Sequence, residues 1–455
     1  MDSAMEHELT RSLGKQKGDQ MKSKMRTLKQ RSTTLMVGIA GLILFLVTPA
    51  ASAQYQEKED KNYGNTPDKQ VPYANYQDAY KKHFVEPLEF TGAGREKPEP
   101  KGLKEVRIGV LAPLEGNVLV PQGIQLLQGA TLAMEEANKR GGYKGIPFKI
   151  LAHNDVGLWG AAANEIVKMG DEGVWTILGT IDDINSHVGI RVALKLEIPW
   201  MNTSDPDPTF TETNIPWVMR CISDDRQSSY ALVDYIYREK ELERVAVLRA
   251  NNRYGRVGVM EFRDAALRAE HPIVLEVRYE DGETNFDTQL ERINNSKPDA
   301  VVLWGNALEM GLILNRMREL GMNYPVFVSD RGVNPLFVET AGKNANGVVT
   351  TCQYNPKGDN PKLKTFQKNY KQRFGQEADV FAAHAYDGMN MTISAIQKVG
   401  LNRYLIRDEL LGLKKYDGVT GEILFDASWN DIGRIFMAEI KDGDFIFSPA
   451  VWKYE

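Results

Sequence analysis

Cysteine is scarce: 455 residues include only Cys221 and Cys352, too few for a disulfide-built scaffold or a thiolate cluster. The six histidines, His7, His83, His153, His187, His271 and His384, stand apart, with no second histidine at i+3 or i+4 and no cysteine beside them. Zinc sites gather ligands at short spacings, so no metal is expected. A basic surplus is missing too. The formal net charge of -5 argues against nucleic acid as a partner. A phosphate-cradling Gly-Lys-Ser/Thr loop is absent, Gly255-Arg256-Val257-Gly258 lacks the third glycine of a dinucleotide turn, and there is no Gly-x-Ser-x-Gly elbow. Carboxylates are plentiful, but without geometry no pair stands out for acid/base work. These absences point away from catalysis, and no cofactor is expected.

Long apolar runs are nearly absent as well. One exception is Leu35 to Val47, thirteen residues preceded by Lys22, Lys24, Arg26, Lys29 and Arg31 and followed by Ala51-Ser52-Ala53. A basic start, a short apolar stretch and a small-x-small end read as a signal peptide over 1–53, cleaved before Gln54. The alternative, an uncleaved anchor, would need about 20 apolar residues to span a bilayer. The n-region is long enough that Met21 or Met25 could be the true start. Export gives a periplasmic or secreted protein, with no membrane insertion after cleavage. Residues 54–104 are rich in Lys, Glu, Gln, Pro, Gly and Tyr without an apolar period, and read as a solvated polar linker.

From Val106 the texture is ordinary for a globular body, in a chain that is 42% apolar and 26% charged. Strands are expected at Val106–Leu111, Phe148–Ala152, Val174–Leu178, Ile198–Met201 and Trp217–Ile222, with helices over Gly123–Arg140 and Ala161–Met169. A second series follows: a helix over Gln227–Lys240, strands at Val245–Leu248, Ile273–Tyr279, Ala300–Trp304 and Val326–Ser329, and a helix over Leu308–Leu320. Alternation of this kind predicts parallel sheets with helices on both faces. Later come helices over Pro361–Phe374 and Val380–Val399, then a hairpin turning at Lys441-Asp442-Gly443-Asp444.

Several segments in order carry a resemblance. They are Ile108-Gly109-Val110-Leu111-Ala112-Pro113-Leu114-Glu115-Gly116, then Asn138-Lys139-Arg140-Gly141-Gly142, Asn252-Arg253-Tyr254-Gly255, Trp304-Gly305-Asn306 and Ala385-Tyr386-Asp387-Gly388. Together they resemble the type I periplasmic solute-binding proteins of the leucine/isoleucine/valine-binding family. The resemblance implies an α/β fold of two doubly wound lobes joined by crossing hinge strands, with ligand in the interlobe cleft. Lobe one would be 105–221 plus 352–420, and lobe two 222–351 plus 421–455. It further implies a monomer that captures a small molecule by hinge closure and delivers it to an ABC permease and its ATPase. A signalling receptor and an exported α/β enzyme remain as alternatives.

Carried over by position, the family pattern implies a cleft made by Asp182, Asp183, Thr203, Ser204, Asp205, Tyr254, Asn306, Asp330, Arg331 and Phe381. Asp183 stands where the family has a serine that helps hold a ligand carboxylate. Arg331, or Asp330 if the alignment shifts by one, stands where it has the acid that receives an ammonium. A free α-amino acid in the usual pose is therefore disfavoured. Either the aspartates receive a cationic or hydroxyl-rich group while Arg331 meets an anion or carbonyl, or Asp183 and Arg331 pair with each other. Cys221 and Cys352 fall near the implied crossovers, as a disulfide stapling them or as two buried thiols.

Overall fold

The computed structural model describes Glu86, residues 88–155 and residues 160–450. The signal peptide and the first part of the linker lie outside the described residues.

Two parallel sheets dominate. The first contains β1 (Val106–Ala112), β2 (Phe148–Asn154), β3 (Ile177–Gly179), β4 (Trp200–Asn202) and β5 (Val218–Arg220), in spatial order β2-β1-β3-β4-β5. Its register sets Ile108 beside Ile150 and Gly109 beside Ile177. Strand β1 reads apolar at nearly every position because helices cover both faces. On one side Val106, Ile108 and Val110 pack with α1 (Val120–Lys139) and α11 (Val380–Val399) through Leu126, Ala130, Met389 and Ile393. On the other, Leu111 and Ile177 meet Ile166 and Met169 of α2 (Ala161–Asp171) and Ile190 of α3 (Asp183–Leu196). A four-residue helix, α4 (Thr209–Glu212), closes this part of the chain.

The second sheet repeats the winding. Strands β6 (Val245–Ala250), β7 (Leu275–Tyr279), β8 (Ala300–Trp304), β9 (Val326–Val328) and β10 (Val349–Cys352) lie in order β7-β6-β8-β9-β10. The antiparallel hairpin of β13 (Phe436–Lys441) and β14 (Asp444–Pro449) extends it beyond β10. Its turn is Asp442-Gly443, both at positive φ, the type favoured by the strand twist. One face packs on α5 (Asp225–Val233) and α6 (Arg253–Arg268), the other on α7 (Asp287–Asn295), α8 (Ala307–Glu319) and α9 (Pro335–Ala341). Helix α5 begins in a capping box, with Asp224 accepting from the Gln227 backbone and the Gln227 side chain accepting from the Asp224 backbone. The expected single helix over Gln227–Lys240 instead starts two residues earlier and passes into a π-helical turn at Asp234–Glu239.

The chain passes between lobes three times: after β5, after β10 and again ahead of β13. After β10 it returns to the first lobe as α10 (Pro361–Phe374), whose Leu363, Phe366 and Tyr370 pack on Leu132 and Ala382. Helix α12 (Arg403–Leu411) and the small hairpin of β11 (Lys415–Asp417) and β12 (Glu422–Leu424) follow. Ile423, Phe425 and Trp429 bury in the first lobe's core. Residues 421–429, expected in the second lobe, thus belong to the first, and the chain joins the second core only at Ile435.

One open alternative is decided and one further expectation is corrected. Cys221 and Cys352 are free, buried thiols: Cys221 Sγ lies 3.8 Å from the His384 carbonyl and Cys352 Sγ 2.9 Å from the Tyr354 carbonyl. Burial pushes both thiol pKa values up, that of Cys352 to about 12, so they act as small buried hydrophobes. The described end of the linker is not free in solvent. Phe90 packs edge-on against Trp217, with ring centroids 5.4 Å apart, and the Arg407 guanidinium lies over it. Arg95 pairs with Asp408, Asn402 Nδ2 donates to the Gly94 and Lys97 carbonyls, and Glu99 accepts from the Leu401 backbone. The segment from Phe90 to Glu99 is a strap on the first lobe.

Candidate functional site

Both main sheets share the order 2-1-3-4-5, so each has a point where successive connections turn to opposite sides: between β1 and β3 in one, between β6 and β8 in the other. Open α/β sheets bind ligands beyond the carboxyl ends of strands at such points. The first lobe presents Asp183 after β3 and Thr203 to Asp207 after β4. The second presents Tyr254 after β6, Asn306 after β8 and Asp330-Arg331 in a 3₁₀ turn after β9.

Local geometry explains how each is held. Gly179 ends β3 at φ +107°, with the Leu111 carbonyl so close that any Cβ would collide with it, which lets the chain turn sharply into α3. Asp182 caps α3, accepting from the Ile184 and Asn185 backbone at 2.9 and 3.0 Å. Its carboxylate is committed there. Asp183, the first residue of α3, is 3% exposed, and neither of its oxygens has a hydrogen-bond partner. Asn202 Oδ1 accepts from the backbones of Ser204 and Asp205, curling the loop after β4. Thr203 and Ser204 hydroxyls face each other at 3.2 Å. Asp205 Oδ1 accepts from the Asp207 backbone, leaving Oδ2 buried and unpartnered.

Across the cleft the groups serve one another. Arg331 is partly buried, lies 3.6 Å over the Tyr254 ring and donates to Asn306 Oδ1 at 2.7 Å. Asp330 accepts from the Tyr254 hydroxyl and from Gln353 Nε2. Both Asp330 and Arg331 therefore lie at the cleft, one bound by neutral donors and one stacked on an aromatic ring.

Three residues that reading by position passed over also belong here. Asp225, the first residue of α5, is fully buried with both oxygens unpartnered. Arg253, from the second lobe, reaches Asp207 Oδ2 at 2.7 Å, and its Nη2 lies 3.1 Å from both His187 Nε2 and Thr209 Oγ1 of the first. Arg226 likewise bridges Glu261 and Glu212. The lobes thus touch through ion pairs at the cleft. Phe381, partly buried, packs against the first lobe's core.

The electrostatics follow from this arrangement. Burial pushes the Asp183 carboxyl well above its usual range, Asp205 adds to the shift, and Arg331 opposes it. Burial does the same to Asp225, with Asp330, Asp183 and Asp207 adding and Arg331 opposing. Asp205 is raised by burial and by Asp207. Burial would raise Asp207 too, but His187 and Arg253 outweigh it and hold it low. Among the described residues no group of His, Cys, Asp or Glu is placed to hold a metal ion, and no helix is long and apolar enough to cross a membrane.

Comparisons with known proteins agree with this geometry. Residues 105–444 match the family model described as periplasmic binding protein. A Leu/Ile/Val-binding protein homolog from Brucella melitensis is 26% identical over 307 residues, covering 65% of this chain and 80% of the relative. The branched-chain amino acid binding protein LivJ from Streptococcus pneumoniae, solved with isoleucine, superposes with a TM-score of 0.70 at 23% identity, covering 76% of this chain and 99% of that one. The chain is a type I periplasmic binding protein of the Leu/Ile/Val-binding family.

Members of this family are periplasmic, and the family and fold are those of solute-binding proteins, not of enzymes. The fold accepts varied cleft chemistry. A solute-binding protein from R. palustris, solved with benzoate, superposes with a TM-score of 0.69 at 18% identity, covering 76% of this chain and 97% of that one. The cleft of this chain gathers four buried or partly buried aspartates, Asp183, Asp205, Asp225 and Asp330, with Arg331 stacked on Tyr254 and Arg253 and Arg226 in ion pairs between the lobes.

Proposed function

We propose that the mature chain is the substrate-binding component of an ABC transporter, capturing a small polar solute between its lobes and delivering it unchanged to a membrane permease driven by an ATPase. The observation that carries this reading is Asp183: a buried carboxylate with neither oxygen bonded, where two lobes joined by three crossings meet. An unpartnered buried charge costs several kcal/mol, a cost that a bound polar ligand would offset. Closure of the lobes around that ligand is the working motion, and Asp183, Thr203, Ser204, Asp205, Tyr254, Asn306, Asp330 and Arg331 line its path. An exported form with residues 1–53 removed fits this role.

The test is native mass spectrometry of chain purified without denaturation, followed by small-angle scattering with and without any solute it releases. A bound small molecule, recovered intact and reducing the radius of gyration on re-addition, is the expected result. Chemical conversion of the solute, or binding without closure, would overturn the reading.

A further inference from the structure

The cleft holds more acidic groups than its own residues pair. Asp207 has Arg253 at 2.7 Å, and Asp224 has Arg220 at 3.1 Å. Asp183 and Asp225 have no hydrogen-bond partner on any oxygen, although they are 3% and 0% exposed. Asp205 keeps one oxygen bare, and Asp330 is held only by the neutral donors Tyr254 and Gln353. Arg331 is the cation set among them, and among the described residues its contacts are with Asn306 and the Tyr254 ring and with no carboxylate oxygen. Asp183 opens α3 of the first lobe and Asp225 opens α5 of the second, and the two lie near enough for the Asp183 charge to push the Asp225 carboxyl up.

From this we infer that the solute is an organic cation with at least two N–H-donating positions, such as a diamine, a guanidino compound or a basic amino acid, bridging Asp183 and Asp225. This inference rests on the binding-protein reading above and narrows its ligand. A neutral polyol could hydrogen-bond the two carboxyls but would leave the surplus of acidic groups without a counter-charge. A simple carboxylic acid could meet Arg331 but would add to it. A cation removes it, and charge-assisted bonds to buried carboxylates are the stronger kind. An acidic end, where the solute has one, would lie toward Arg331.

Protonation gives a second handle. Asp183 is faced by Asp182, Asp205, Asp207 and Arg331, and Asp225 by Asp330, Asp183, Asp207 and Arg331. Burial lifts both carboxyls toward the neutral form, so a cation that binds their charged forms expels protons and binds more tightly as pH rises.

The experiment is calorimetric titration of the mature chain with 1,4-diaminobutane, L-arginine, leucine, benzoate and sorbitol at pH 5.5 and pH 8. At least one of the two bases is expected to bind more tightly than the other three solutes and to strengthen toward pH 8. Asp183→Asn and Asp225→Asn should each weaken that binding by at least about 30-fold. Thermal unfolding without ligand guards against simple misfolding: because Asn removes a buried charge, Asp225→Asn should melt no lower than the parent at pH 8. Binding of a base that is unchanged in both variants would overturn the assignment. Binding and closure by leucine, benzoate or sorbitol alone would overturn the cation but leave the binding-protein reading standing. Silence from all five solutes, with nothing released by the purified protein, would count against both.

Discussion

Asp224 and Asp225 are neighbours in sequence, are both buried, and have opposite surroundings. Asp224 sits in the hinge. Its Oδ2 accepts from Arg220 Nη2 at 3.1 Å and from Asn430 Nδ2 at 2.9 Å, and its other oxygen caps the Gln227 backbone. The fully buried Arg220 also donates to Asn430 Oδ1 and to the carbonyls of Asp205 and Asp207, while its backbone N–H donates to the Trp429 carbonyl. Two of the three crossings are tied in this knot. Asp225, one residue on, donates its backbone N–H to the Pro206 carbonyl but has no partner on either carboxyl oxygen. Burial raises both carboxyls, but Arg220 and Arg226 restrain Asp224, whereas Asp330 and Asp183 push Asp225 further. Burial alone therefore does not distinguish a structural acid from a binding one. Bonding does: the hinge completes its polar groups internally, whereas Asp183 and Asp225 keep both carboxyl oxygens unpartnered.

Removing a partner from the knot should break this contrast most severely. Arg220→Met strands Asp224 and two backbone carbonyls, and urea unfolding should show a loss of about 3 to 5 kcal/mol. Next comes His384, buried in α11 with its Nδ1 against the Val380 carbonyl at 2.9 Å. Burial lowers its pKa to about 4. The folded state keeps it neutral while the unfolded chain protonates near its ordinary value of 6.5. Stability owed to this group is thus present above that value and falls as pH drops toward 4, by about 3 kcal/mol in all. His384→Gln should flatten that part of the stability profile. Asp225→Asn should act in the opposite sense to the hinge variant. A carboxyl whose folded pKa is raised contributes stability at low pH that is lost as pH rises, so the amide should raise ligand-free stability at pH 8, by about 2 kcal/mol. Destabilisation by that variant would show Asp225 to be a second structural acid. The smallest effect belongs to the strap, where Arg95 and Asp408 are both about one-third exposed. Asp408→Asn should cost no more than about 1 kcal/mol in the same unfolding measurement.

Much of the fold was legible in the residues. Apolar strands such as Val106–Leu111 and Ala300–Trp304 stand out because parallel strands are covered on both faces, and Asp442-Gly443 announces its hairpin. Helix α3 was passed over. Its sequence, Asp183-Ile184-Asn185-Ser186-His187-Val188-Gly189, has poor helix formers, and tertiary packing on β1 and β3 overrides that preference. The cap at Asp182, followed by Asp183 in the first turn, was the signal available to find it. Reading by position led to Tyr254, Asn306 and Arg331, which contact one another, to Asp183 on the other lobe, and to Phe381, which packs against the first lobe's core. Asp225 stayed hidden because it reads as the second acid of a helix start.

By itself, the sequence determined the alternation of strands and helices, the two successive windings and the acidic character of the cleft loops, since those depend on local apolar period and residue type. Only the tertiary structure decided that Cys221 and Cys352 stay apart, that residues 90–99 strap the first lobe, and that Asp224 is paired while Asp225 is bare. Partnership between charges is a matter of distance across the fold. Neighbouring aspartates that are chemically identical in the chain become different groups once Arg220 and Asn430, brought from elsewhere, bond one and leave the other buried without a partner.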